Sequence, residues 1–430
     1  MKQIKIIPMQ EPFQTSVTIP GCLSYTIRAL NLAAMTEGTV TIQNALKSDD
    51  TYAMVHVLKS LGIKVQEGFD NFIVHGILED VLAGEYTIDI NISGRTARTA
   101  LALLCIVPGI KILTCKDSFK KRPVKDLVDG LRQLSANIEY LEKDGYLPVK
   151  ISSSKLKPGT IKMNGTVSSQ YFSAIMMIAP KVGEIVIEVM GEQSSKPFID
   201  VTISAMKEFG VEVINEDYKR YIVRGNQKYK KEIYTVEADA ISASYFFAIA
   251  AITKSTIRVL NLPPYSVQGD VWFADILEEM GCEVHKNKDE NWIEVAGIDD
   301  LRAISIDMNA NPDTVQTLAV VAAYAKGTTH IKGIHHLKIK ETDRIEAPKK
   351  ELMKMGIDVQ TTDDSMTITG GNPHGAEIET YGDHRMAMAF AVAGIKTEGI
   401  IINNPDVVNK SFPTFWKILE SLKIQLEYEK

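Results

Sequence analysis

The sequence predicts an α/β protein of two domains, each built from three copies of one small unit. Three observations predict this: a length of 430 residues, a helix–turn–strand pattern that recurs six times, and a second pattern interleaved with it. One hydrophobic core rarely serves more than about 300 residues, so a chain of this length is expected to divide. Self-similarity at a fixed period is the mark of a repeat architecture.

The first pattern is an apolar helical stretch, a turn residue and a β-rich run. It reads RALNLAAMTEGTVTIQN, ARTALALLCIVPGIKILT, YFSAIMMIAPKVGEIVIEV, SYFFAIAAITKSTIRVLN, TLAVVAAYAKGTTHIKG and MAMAFAVAGIKTEGIIINN. Its turn residues, Gly38, Gly109, Gly183, Ser255, Gly327 and Gly399, stand 71, 74, 72, 72 and 72 residues apart. These helices are apolar nearly all round, which predicts burial. The second pattern reads LKSLGIKV, LRQLSANI, MKEFGVEV, LEEMGCEV, LMKMGIDV and LESLKIQL, starting at Leu58, Leu131, Met206, Leu277, Leu352 and Leu419. Its alternation after the turn fits a half-buried strand. Its helix carries charge, as at Lys207 and Glu208, so partial exposure is expected. Each unit of about 70 residues therefore holds two helices and several strands, and six units make two domains of three.

Composition excludes several classes of function. A net charge of -6 offers no basic face for nucleic acid. Cys22, Cys105, Cys115 and Cys282 form no CxxC pair, so neither a zinc site nor a disulfide framework is expected, and isolated thiols suit a reducing cytosol. The start, MKQIKIIPMQEPF, has no long apolar stretch, so no signal peptide is expected. No run of about 18 apolar residues suggests a membrane span. His335 and His336 are adjacent, but no carboxylate or cysteine stands at ligand spacing, and no metal is expected.

The polar clusters sit where helices are expected to begin. Before the apolar helices stand GCLSYTIR (21–28), SGRTAR (93–98), TVSSQ (166–170), ADAISAS (238–244), NPDT (311–314) and GDHR (382–385). Before the others stand SDD (48–50), KKRP (120–123), SSKP (194–197), VQGD (267–270), KETDR (340–344) and NKSFP (409–413). A helix start offers unpaired N–H groups and partial positive charge, which favour anions. Ser48, Asp49 and Ser242 are read as helix caps. The cations of KKRP, KETDR, DHR and NKSFP oppose the helix dipole and need another reason, such as phosphate.

SSQ at 168–170, SKP at 195–197, ASYF at 243–246, QGD at 268–270, PD at 312–313, KETDR at 340–344, DHRMAM at 383–388 and K-x-FP at 410–413 resemble the motifs of 5-enolpyruvylshikimate-3-phosphate synthases, in family order along almost the whole chain. The resemblance implies a two-domain inside-out α/β barrel of βαβαββ-like units, with buried helices and outer sheets. It implies one domain of residues 1–20 with 240–430 and another of 21–239, with substrates in the cleft between them. It also implies a cytoplasmic monomer that joins phosphoenolpyruvate to the 5-hydroxyl of shikimate 3-phosphate, without metal or organic cofactor.

That reaction needs cations on phosphates and carboxylates, a base for the hydroxyl and an acid for the enol methylene. By resemblance Arg122, Arg344, Arg385 and Lys410 cradle phosphoenolpyruvate, with Gly94, Arg95 and Gln170 beside them. Arginine suits the task because its planar fork meets carboxylate or phosphate with two bonds. Ser24, Arg28, Ser168, Ser169, Gln170, Ser195, Asp313, His336 and Lys340 fall on the shikimate 3-phosphate positions. Asp313 and Glu341 are the acid–base pair, with Lys340 among the catalytic residues.

The chain departs from the family pattern in places. The lysine of the family's G-S-K-S loop is Leu23, and the asparagine of its N-[AS]-G-T loop is Ile92. Arg95 is gained next to Gly94, so it can restore the cation lost at position 23. Phe198 stands where tyrosine is common and His336 where asparagine is usual. Two other readings follow from these departures: an enolpyruvyl transferase with another acceptor, and a weakly catalytic protein that binds phosphorylated ligands.

Overall fold

The computed structural model describes residues 2–76, 78–152 and 155–429. Among these the helices, in order, are α1 (Leu23–Ala34), α2 (Asp49–Ser60), α3 (Gly94–Leu104), α4 (Lys125–Gln133), α5 (Ser169–Val182) and α6 (Lys196–Glu208). They continue with α7 (Ala240–Thr253), α8 (Phe273–Glu279), α9 (Val315–Ala322), α10 (Glu346–Lys354), α11 (His384–Lys396) and α12 (Phe415–Ser421). None is long and apolar enough to cross a membrane. The chain divides into two compact units, residues 1–20 with 237–430 and residues 21–236. The return to the first unit thus falls three residues before the 239/240 boundary that the resemblance implies.

Each unit has its own core. In residues 21–236 the buried helix α3 packs on both α1 and α5. In the other unit α7, α9 and α11 pack on one another, and every residue of α7 is buried. These are the helices that are apolar all round. The second helix of each repeat is half-covered, and Lys207 and Glu208 on α6 are exposed.

Among the described residues, six four-stranded sheets share one plan. In the clearest case Glu85–Asp89 pairs parallel to Ile110–Thr114, which pairs antiparallel to Val149–Ile151, itself antiparallel to Ile138–Tyr140. The order along the chain is therefore β, α3, β, α4, β, β. Two sheets exchange their first strand. Gln14–Thr18 precedes α1 yet pairs parallel to Thr256–Leu260, the strand after α7. Ile233–Thr235 precedes α7 yet pairs parallel to Gly38–Gln43, the strand after α1. The last sheet is completed by the other end of the chain, because Gln3–Ile6 lies between Ile401–Asn403 and Leu426–Glu429.

Turn chemistry repeats with the strands. After the second helix of each copy, Gly62, Ser135, Gly210, Gly281, Gly356 and Lys423 all have φ between 65° and 109°. After the first helix, Gly38, Gly109, Gly183, Gly327 and Gly399 have positive φ, but in the fourth copy the left-handed residue is Lys254, one before the expected Ser255. One of the capping expectations holds, at Ser48, and those for Asp49 and Ser242 need correction. Asp239, not Ser242, caps α7; its carboxylate accepts bonds from Ser242 N at 3.0 Å and Ser242 Oγ at 2.7 Å. A carboxylate two to three residues before the N–H groups competes well with a serine inside the turn. At α2, Ser48 holds the N-cap position, and Thr51 Oγ1 reaches back to Ser48 N at 2.8 Å.

Candidate active site

In the unit that holds both chain ends, five of the residues singled out from the sequence meet in one buried ion network. Arg344 is 2% exposed and makes four hydrogen bonds to three carboxylates. They run from Nε to Asp383 Oδ2 (2.7 Å), from Nη2 to Asp383 Oδ1 (3.2 Å), from Nη1 to Asp313 Oδ1 (3.0 Å) and from Nη2 to Glu341 Oε2 (2.7 Å). Arg385 Nη2 lies 3.0 Å from Asp313 Oδ2, and Lys410 Nζ donates to Glu341 Oε1 at 2.5 Å. Three cations thus face three carboxylates. Burial pulls the Arg344 and Arg385 guanidiniums down, but Asp383 and Glu341 for the first and Asp313 for the second outweigh it and hold both above the usual arginine range.

The local sequence explains how these groups converge. Pro312–Thr314 form a 3₁₀ turn that opens α9 and carries Asp313. In KETDR, Asp343 Oδ1 accepts from the N–H groups of Ile345 and Glu346, at 3.0 and 3.1 Å, and so opens α10. Glu341 and Arg344 are left to face inward. Asp383 caps α11 by accepting from Arg385 N at 2.9 Å while it grips Arg344. Lys410 ends the 3₁₀ turn Pro405–Lys410. The reason expected for Arg344 from its position near a helix start was phosphate; its partners here are carboxylates.

Two buried histidines flank the network. His384 lies directly before Arg385, and burial, aided by Arg385 and Lys410, holds it far below the usual imidazole range. His336, in the 3₁₀ turn His335–Ile339, is lowered to about 4 by burial and then by Lys340 and His335. Lys340 follows that turn and is half-buried.

The second unit holds an arginine-rich cluster. Arg28, on α1, is 6% exposed and donates to Thr202 Oγ1 (2.8 Å), Ser24 O (2.9 Å), Phe198 O (3.1 Å) and Ser173 Oγ (3.4 Å). Burial, and after it the charge of Arg95, lowers Arg28 to about 10. Arg95 is the second residue of α3, so it lies close enough to Arg28 for their charges to interact. At Gly94 a Cβ would lie 2.7 Å from both Arg122 Nη1 and Arg98 Nη1. Two guanidiniums therefore crowd one backbone position, and a side chain there would displace them. The Phe119 ring lies 5.4 Å from Arg98 Cζ and 5.2 Å from Arg122 Cζ. Ser168 caps α5 by accepting from Gln170 N, and Gln170 Oε1 is buried without a hydrogen-bond partner among the described residues. Ser195 holds the N-cap position of α6 in a left-handed conformation, with φ 53°, without a side-chain capping bond. Leu23, at the start of α1, is 4% exposed and belongs to the apolar core.

Comparison with known proteins now decides the family. A family model described as EPSP synthase (3-phosphoshikimate 1-carboxyvinyltransferase) matches residues 7–419. The chain belongs to the EPSP synthase family. It is 41% identical to a 3-phosphoshikimate 1-carboxyvinyltransferase of Sulfurovum sp., over 98% of this chain and 99% of that one. It is 40% identical to the enzyme of the same name from Shewanella sediminis, over 98% and 100% of the two chains. A solved EPSP synthase from Acinetobacter baumannii superposes with a TM-score of 0.84 at 26% identity, covering 100% of both chains. The two-domain α/β architecture expected from the motifs is that of the EPSP synthases, and the chain is a transferase.

Among EPSP synthase motifs, DHRMAM and the glycine loop conceal two residues to which sequence reasoning gave no role. Asp383 anchors Arg344, and its place before a helix-start arginine was the available signal. Arg98 was passed over although it shares the loop with Gly94 and Arg95; its spacing of one helical turn from Gly94 was the signal. Gln268 of QGD has a structural role: it accepts from Ala240 N (3.0 Å) and donates to Ala238 O (2.9 Å) at the start of α7.

Proposed function

We propose that this EPSP synthase family member transfers the enolpyruvyl group of phosphoenolpyruvate to the 5-hydroxyl of shikimate 3-phosphate and releases phosphate. The observation that carries the residue assignment is the ion network, in which Asp313 bridges Arg344 and Arg385, and Glu341 bridges Arg344 and Lys410. Asp313 orients the acceptor hydroxyl and takes its proton as the oxygen bonds to the central carbon of phosphoenolpyruvate. The methylene carbon receives a proton from the Lys410–Glu341 pair, whose 2.5 Å contact lets a proton pass. The tetrahedral adduct then returns a methyl proton to that pair and expels phosphate, which departs with the proton that Asp313 had taken. Lys340 adds a cation which, like Asp313, acts on the His336 ring.

Arg344, Arg385 and Lys410 are assigned to phosphoenolpyruvate, as are Arg122, Arg95, Gly94 and Gln170. Once phosphoenolpyruvate is bound, Arg344 has anionic partners to exchange among, and its planar fork favours a carboxylate. Ser24, Arg28, Ser168, Ser169, Ser195 and His336 serve shikimate 3-phosphate. Arg28 supports this assignment, because its four hydrogen-bond partners are neutral oxygens and a phosphate nearby would compensate its charge.

The same reading makes the protein a cytoplasmic monomer that needs no cofactor; its four free cysteines are all buried. Another acceptor, or binding without turnover, is not favoured, because relatives about 40% identical across nearly the whole chain are named for the one reaction. Phosphate release from phosphoenolpyruvate plus shikimate 3-phosphate tests the proposal. Release that needs both substrates is expected; no release with active concentrations of both would overturn it.

A further inference from the structure

Like His384, His336 is a buried histidine whose ring has no hydrogen-bond partner among the described residues. It is 5% exposed, yet neither ring nitrogen has a hydrogen-bond partner among the described residues. A buried imidazole with both nitrogens unmet is costly unless a ligand meets them. The charged and titratable groups that act on it are Lys340, His335, Asp313 and Asp364. The His335 ring stands edge-on, with centroids 5.3 Å apart, and His335 is itself engaged with Asp364, Nδ1 lying 3.3 Å from Oδ1. Burial, and after it Lys340 and His335, outweigh Asp313 and Asp364 and keep the ring neutral, at a pKa of about 4. The usual family residue here, asparagine, cannot take up a proton.

We infer that His336 hydrogen-bonds the phosphorylated acceptor through a ring nitrogen and takes up a proton as that acceptor binds, so that mild acid tightens acceptor binding. The inference rests on the acceptor reading above. Shikimate 3-phosphate brings a phosphate and a carboxylate, which offset Lys340 and favour the imidazolium. An opposite charge within about 6 Å raises a histidine pKa by one to three, so about 6 is expected in the complex. The sign follows from linkage. The group is neutral in both states at pH 7, and between about pH 6 and 4 only the complex holds the proton, so affinity gains over that range as pH falls. At pH 5 the gain is about ten-fold, with about 0.8 of a proton taken up.

The experiment compares wild type with His336→Asn, measuring shikimate 3-phosphate dissociation constants from pH 7 to pH 5 by calorimetry in two buffers of different ionisation enthalpy. Titration of the ligand's own phosphate is common to both proteins and cancels in the comparison. The expected result is an affinity for wild type that gains about ten-fold on the variant between pH 7 and pH 5, with the proton uptake absent from the variant. Parallel pH profiles would overturn the inference while leaving the acceptor reading intact. Absence of shikimate 3-phosphate binding to both proteins would overturn the acceptor reading, and this inference with it. His336→Gln repeats the comparison if the asparagine variant does not fold.

Discussion

Replacing Asp383 with alanine tests the ion network at its most buried member. Asp383 is 0% exposed, holds Arg344 by two bonds of 2.7 and 3.2 Å, and caps α11 through Arg385 N at 2.9 Å. Removing one partner of a buried ion pair costs about 3–5 kcal/mol, because the other charge stays buried. Losing the cap adds about 1 kcal/mol. The remaining Asp313 and Glu341 then share Arg344, Arg385 and Lys410, leaving one positive charge in excess. A total of about 4–6 kcal/mol lowers the melting temperature of a unit of roughly 200 residues by about 10–20 °C. Asp383→Asn keeps an oxygen for Arg385 N but turns an amide donor or an uncharged oxygen to Arg344, so about 3 kcal/mol of the loss should persist. Differential scanning calorimetry on wild type and both variants reads the shift, and phosphate release reads activity. A melting temperature of Asp383→Ala within 2 °C of wild type, with turnover unchanged, would refute the reasoning that this carboxylate anchors the network.

Other substitutions probe the remaining assignments. Arg95→Ala is expected to raise the KM for phosphoenolpyruvate about ten- to a hundred-fold, the value of one charge-assisted contact, and Leu23→Lys on that background should recover part of it; an unchanged KM in steady-state kinetics ends the idea that Arg95 replaces the missing lysine. Gly94→Ala places a methyl 2.7 Å from Arg122 Nη1 and Arg98 Nη1, so phosphoenolpyruvate affinity should fall while the melting temperature moves little; equal affinity would mean that the guanidiniums move aside freely. Asp313→Asn should lower kcat by at least about a hundred-fold, and a kcat within three-fold of wild type would remove Asp313 as the hydroxyl's base. Lys410→Met should depress kcat more than it raises the KM for shikimate 3-phosphate, as expected for a group that serves the methylene proton; the opposite split, measured in the same assay, would assign it to acceptor binding instead.

Much of the architecture was legible because it is written locally. Helices that are apolar all round could only be buried, and α7 is buried at every residue. The turn residues recur with the units because a left-handed backbone must follow each second helix, whether glycine, Ser135 or Lys423 occupies it. Motif residues such as Asp313, Glu341, Arg344, Arg385 and Lys410 could be named because the short motifs that carry them resemble those of EPSP synthases, and the cations among them stand near helix starts. What each one touches was not legible. The cations at helix starts pointed toward an outside anion, whereas Arg344 is held by three carboxylates contributed from positions 313, 341 and 383.

Sequence alone determined the six-fold repeat, the buried and half-buried helices and the positions of the turns, since hydrophobic period and backbone conformation depend on neighbours a few residues away. Only the tertiary structure decided that Gln14–Thr18 and Ile233–Thr235 exchange sheets, that Gln3–Ile6 completes the last one, and that Asp383 anchors Arg344. The physical reason is the same in each case. A strand offers the same N–H and C=O groups to any partner, and a guanidinium can donate to any carboxylate, so the choice is made by which groups the folded chain brings within bonding distance.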